Sequence, residues 1–191
     1  GHDFEPIIPL LTLPEDLPIR FVFPHAPEIP ISAFGGQRAR GWFDFDPASG
    51  TELPGIEKSR MRIKDLIQQE IDNGMPPERI VLAGFSQGGV LAFHTALYYP
   101  KRLAGILALS TFLAHSENLS FADAEVNRGI PVLMCHGQRD EVLPMSLGKS
   151  SYEALQKARY PVEWFEYPVG HEVCLEEIHE ISRWLQAVLG R

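Results

Sequence analysis

The stretch Arg79-Ile80-Val81-Leu82-Ala83-Gly84-Phe85-Ser86-Gln87-Gly88 decides the fold. Residues 79–85 make a short, nearly continuous apolar run, the pattern of a strand buried on both faces. Gly84-Phe85-Ser86-Gln87-Gly88 fits G-x-S-x-G, and residues 87–99 read as a helix ended by Pro100. A serine at such a sharp strand-to-helix turn is forced into strained backbone angles. The flanking glycines let the chain pack through the turn, and the hydroxyl stands exposed over the helix N-terminus. The bland alternative is an ordinary βα turn carrying the pentapeptide by accident. The strand before it and the helix after it argue against that.

Outward from this turn, helix-like and strand-like segments alternate. Upstream, Met61, Ile63, Leu66, Ile67 and Ile71 recur at helical spacing over residues 57–73, and Asn73-Gly74 stops the helix. Downstream, residues 103–109, 130–135 and 162–167 read as strands, with helices over 145–158 and 172–189. Pro131 sits near the start of its strand, where its missing N–H is tolerated. The alternation predicts an α/β fold, a mostly parallel sheet with helices on both faces. The first 55 residues are proline-rich. Only Ile19-Arg20-Phe21-Val22-Phe23 reads there as a strand, and Pro24 to Pro54 reads as a long loop ordered by Trp42, Phe43 and Phe45. No internal repeat or low-complexity tract is visible.

A hydroxyl is a weak nucleophile at neutral pH, so Ser86 needs a base, and the base needs an orienting carboxylate. Catalytic groups in open α/β sheets gather beyond the carboxyl ends of the strands. Two later strand ends supply candidates: His136-Gly137-Gln138-Arg139-Asp140-Glu141 and Pro168-Val169-Gly170-His171. The order Ser86, acid, His171 suits the nucleophile-elbow hydrolases, with Asp140 and its neighbour Glu141 both available as the acid. The backbone N–H of Gln87 becomes one oxyanion donor. His94 and His136 read as packing or structural residues, His25 as support for the loop, and His115 and His179 as surface residues. Cys174 reads as a helix cysteine rather than a nucleophile, since no base is placed for it.

Composition narrows the rest. The 191 residues suit one domain spanning 1–191. They are 45% hydrophobic and 22% charged, as in ordinary globular chains. A net charge of −8 with no Lys/Arg cluster argues against nucleic acid as partner. Cys135 and Cys174 make no disulfide framework, and free thiols predict a cytoplasmic protein. No H-E-x-x-H, C-x-x-C, G-x-G-x-x-G or Walker spacing occurs, so no metal or other cofactor is expected.

Gly84-Phe85-Ser86-Gln87-Gly88-Gly89, His136-Gly137-x-x-Asp140 followed by Pro144, and Gly170-His171 together resemble the carboxylesterase, lysophospholipase and acyl-protein thioesterase family of the α/β-hydrolase fold. Pro24-His25-Ala26-Pro27, Gly41-Trp42-Phe43-Asp44 and Leu109-Ser110-Thr111 look like further elements of that family, so the likeness spans nearly the whole chain. The resemblance implies cofactor-free hydrolysis of carboxylic esters or thioesters of small to medium acyl chains. It favours Asp140 over Glu141 as the acid. It also implies an acyl groove lined by the loop from Ile31 to Trp42 and by Phe112 and Leu113. Its implied partners are an acylated small molecule, lipid or protein, with a homodimer and a peripheral membrane contact as further options. Family members open with a strand running into H-G-L-G-x-x-G-x-x-F, whose Leu N–H is the second oxyanion donor. Here Gly1-His2-Asp3-Phe4 matches only the tail of that motif, so the expectation is a domain incomplete at its N-terminus relative to the family. The competing reading is a non-catalytic α/β-hydrolase-like binding domain. A peptidase or a dienelactone-type hydrolase fits less well, for want of a cap domain and of a cysteine at position 86.

Overall fold

A computed structural model of the chain describes residues 2–45, 53–114 and 125–190. Four parallel strands form the main sheet: β3 (Val81–Phe85), β4 (Gly105–Leu109), β5 (Val132–Gly137) and β6 (Val162–Tyr167), side by side in that order. Two preceding strands, β1 (Glu28–Ile31) and β2 (Gln37–Arg40), form a separate antiparallel hairpin. The α-helices are α1 (Ile56–Asp72), α2 (Gln87–Ala96), α3 (Met145–Lys157) and α4 (Leu175–Leu189).

The strand period of two divides the core cleanly. Ile106, Ala108, Val132 and Met134 face one way and pack with Phe93, Leu97 and Leu155. Leu107, Leu109, Leu133 and Cys135 face the other way and pack with Ile181, Trp184 and Leu185 of α4. Helices therefore cover both faces, as the alternating pattern predicts. A third cluster joins Phe43, Leu53, Val90, Phe112 and Leu143 under the loop that carries Trp42.

Three sequence expectations are corrected. Ile19–Phe23 forms no ladder among the described residues, although the rings of Phe21 and Phe23 stack 6.4 Å apart. A strand needs a backbone partner as well as apolar side chains. This segment and β3 line one cavity instead of pairing. Within Pro24–Pro54, the β1–β2 hairpin replaces what reads as featureless loop. Pro30 and the arginines at 38 and 40 hide its alternation, while Gly35 and Gly36 supply the left-handed angles of its turn, φ 63° and 82°. Finally, α4 begins at Leu175 rather than Glu172, because residues 168–174 form the turn that presents His171.

Candidate active site

Ser86 sits between β3 and α2 with φ 54° and ψ −123°. A non-glycine residue there stores roughly 1–3 kcal/mol of strain. The surroundings hold it: the Ser86 N–H donates to the Leu109 carbonyl at 3.0 Å, and the Thr111 hydroxyl donates to the Ser86 carbonyl at 2.7 Å. The turn closes so tightly that a Cβ on Gly84 would lie 2.1 Å from the Gly88 backbone, and one on Gly89 would lie 2.4 Å from Thr111. Glycine at 84 and 89 is thus a steric requirement of the turn.

β5 and β6 deliver the other two side chains. His171 Nδ1 lies 2.7 Å from Asp140 Oδ2. The second carboxylate oxygen, Oδ1, accepts the N–H groups of Val142 at 2.9 Å and Leu143 at 2.8 Å. Asp140 is buried, whereas Glu141 beside it is exposed. Burial pushes the Asp140 carboxyl upward. The hydrogen bonds from His171, Leu143 and Val142, with the His171 charge, outweigh burial and hold it below the usual carboxylate value. The His171 ring packs 4.6 Å from the ring of Phe85, the residue before Ser86. The Asp140–His171 pair thus lies at the carboxyl ends of β5 and β6, packed on Phe85 at the end of β3.

Gln87 begins α2, and its side chain does more than its place in the motif announces. Its Oε1 accepts the Trp42 N–H at 3.1 Å, and its Nε2 donates to the Phe43 carbonyl at 3.1 Å. The hydroxyl of Ser59 on α1 donates to the Trp42 carbonyl. Trp42, Ser86 and Gln87 line one cavity of about 820 Å³, whose other walls include Phe21, Phe23 and Leu185. Phe112 and Leu113 lie elsewhere. Phe112 packs against Phe45 with centroids 5.9 Å apart, and Leu113 is buried with its N–H on the Ser151 hydroxyl at 2.8 Å. Neither lines that cavity.

Cys135 and Cys174 are free thiols, and burial pushes both upward in pKa, away from the thiolate. Glu177 on α4 is pushed up to about 7 by burial, against a hydrogen bond from the Cys174 N–H. Among the described residues, no group of three or more His, Cys, Asp or Glu could hold a metal ion. Also among them, no helix is long and apolar enough to cross a membrane. His94 is half-buried on α2, His25 and His179 are exposed, and His115 lies outside the described residues. His136 is buried, at hydrogen-bond distance from the Leu143 carbonyl. Its role escapes a reading of the sequence one residue at a time, although the His136-x-x-x-Asp140 spacing is the signal that could have found it.

Comparison with known proteins identifies relatives of the chain. The chain is 42% identical over 184 residues to acyl-protein thioesterase 1 of Gibberella zeae, covering 90% of this chain and 77% of that protein. It is 31% identical over 211 residues to acyl-protein thioesterase 1 of Cryptococcus neoformans, covering 99% and 87%. Among solved structures, Arabidopsis thaliana SOBER1 superposes with a TM-score of 0.87 at 28% identity, over 97% of this chain and 91% of that one. Zea mays acyl-protein thioesterase 2 gives a TM-score of 0.74 at 29% identity, over 87% and 80%. The phospholipase/carboxylesterase family model matches residues 12–189. With its parallel sheet and these relatives, the chain is a hydrolase of the α/β-hydrolase fold and belongs to the phospholipase/carboxylesterase family.

Proposed function

We propose that the protein hydrolyses carboxylic esters or thioesters of small to medium acyl chains through an acyl-enzyme on Ser86. One observation carries the reading. The His171 ring is bonded to Asp140 through Nδ1 and packs on Phe85, next to Ser86. In this mechanism His171 takes the Ser86 proton as Oγ attacks the acyl carbonyl. Asp140 holds the imidazole in the right tautomer and stabilises the imidazolium. The Gln87 N–H, at the start of α2, stabilises the oxyanion of the tetrahedral intermediate. His171 then returns the proton to the departing alcohol or thiol. A water activated by His171 releases the acid and restores Ser86. The apolar walls of the cavity suit an acyl chain, and the relatives named acyl-protein thioesterase favour a thiol leaving group. A cytoplasmic location and an acylated protein or lipid as substrate follow from the same reading.

Intact mass after exposure to a fluorophosphonate tests it, beside Ser86→Ala. A single adduct present in the native chain and absent in the variant is expected. An adduct that persists in Ser86→Ala overturns the assignment, and a folded chain with no adduct at all favours the non-catalytic binding domain. Acyl thioesters and p-nitrophenyl esters of graded chain length then define the acyl and leaving groups.

A further inference from the structure

His136 lies one residue before the end of β5, in the middle of the sheet, and is only 1% exposed. Cys135 faces α4, so His136 faces α3. There the ring is clamped. It stacks 6.0 Å from Trp164 of β6, and a Cβ on Gly148 of α3 would lie 2.5 Å from Nδ1. Nδ1 has no hydrogen-bond partner among the described residues. The polar contacts of the ring all lie on the other side. Nε2 is 2.9 Å from the Leu143 carbonyl and 3.5 Å from Asp140 Oδ2. A carbonyl only accepts, so Nε2 carries the proton.

These contacts form a continuous chain of hydrogen bonds. His136 Nε2–H donates to the Leu143 carbonyl, and the Leu143 N–H donates to Asp140 Oδ1. Asp140 Oδ2 in turn accepts from His171 Nδ1. One end is a ring locked in a rigid central strand, and the other is the base of the proposed triad. Between them lies the turn 140–143, in which Glu141 and Val142 are exposed while Asp140 and Leu143 are buried. We propose that His136 is a positioning residue for the acid. Its Nε2–H pins the turn so that one Asp140 oxygen is saturated by backbone N–H groups and the other stays on His171. A buried imidazole N–H needs an acceptor, and the acceptor lies on this turn. Here the ring's hydrogen bonding is directed at it. The proposal rests on the reading that Ser86, Asp140 and His171 form the triad.

The test compares His136→Leu, which keeps apolar volume but loses the donor, with His136→Gln, whose amide reaches the position of Nε2. For His136→Leu the expected outcome is a 10- to 100-fold fall in kcat for an acyl thioester, on the order of the loss an ångström-scale misplacement causes. KM should stay within about twofold, because the substrate does not touch this ring. The downfield proton resonance of the His171–Asp140 hydrogen bond should broaden or vanish, and His136→Gln should restore both kcat and the resonance. A folded His136→Leu protein with native kcat and resonance overturns the proposal. So does equal damage in the Leu and Gln variants, which would mark a packing role. If His136→Leu does not fold, Gly148→Ala tests the same link by pressing a methyl against Nδ1. A kcat loss at constant KM supports the proposal there, and unchanged kcat overturns it. Failure of the triad itself is read separately, from fluorophosphonate labelling that survives Ser86→Ala.

Discussion

A Cβ placed on Gly137 would lie 2.1 Å from the carbonyl oxygen of Gly170. The end of β5 and the turn carrying His171 therefore touch backbone to backbone, with hydrogen bonds from the Gln138 N–H to Tyr167 and from the Arg139 N–H to Val169, at 2.8 and 2.9 Å. This contact sets the separation of the strand-end loops, and so of Asp140 and His171. Gly137→Ala should push the two apart. We expect about a hundredfold loss of kcat in a protein that still melts cooperatively. Kinetics beside thermal melting decide it; native activity in the variant would show that the contact has slack.

Asp140→Asn tests the acid. The amide can still hold the turn through its oxygen but cannot stabilise an imidazolium. A fall in kcat of about four orders of magnitude is expected, with little change in KM. Glu141→Gln, at the exposed neighbour, should leave both constants within about twofold. Steady-state hydrolysis of one thioester by both variants suffices, and the opposite ranking would transfer the role to Glu141.

Glu177 predicts how stability follows pH. Its folded pKa, about 7, lies above the ordinary glutamate value of 4.5. The folded chain keeps a proton that the unfolded chain gives up between these limits. Stability should decline as pH rises through that window and level off above it, by an amount on the order of 3 kcal/mol. Glu177→Gln removes the titration and still accepts the Cys174 N–H. Urea denaturation at pH 5 and pH 8 should show the variant gaining on the native chain only at the higher pH. An equal pH dependence in both proteins would falsify this account.

Gln87→Ala removes both hydrogen bonds that fasten the Trp42–Phe43 segment to α2 but leaves the position 87 N–H in place. At about 1 kcal/mol per bond, the expected cost is a roughly thirtyfold higher KM, with kcat changed less than threefold. If kcat falls instead, the side chain acts on the chemistry and not on the wall of the cavity.

Much of this arrangement is legible in the sequence, for physical reasons. β4 and β5 are buried on both faces, so their apolar runs stand out, and Ser86, Asp140 and His171 each follow a strand that can be recognised. The hairpin was hidden because its pairing is short and its side chains are partly exposed. Ile19–Phe23 misled because β propensity reports side-chain fit and not the presence of a partner. For Phe112 and Leu113 the sequence does not separate packing from substrate contact, since the same apolar side chains build cores and acyl sites. The side-chain bonds of Gln87 span 45 and 44 residues, contacts that no local pattern encodes.

The sheet order carries one last consequence. Ser86 follows β3, whereas Asp140 and His171 follow β5 and β6, with β4 between. No single strand-and-helix unit of the chain holds all three residues. Large loops must close, at an entropic cost, before any reward from these contacts is felt. Reactivity toward an acylating probe is then a clock for assembly. A half-refolded molecule, however helical, stays silent until the last pair of strands has docked.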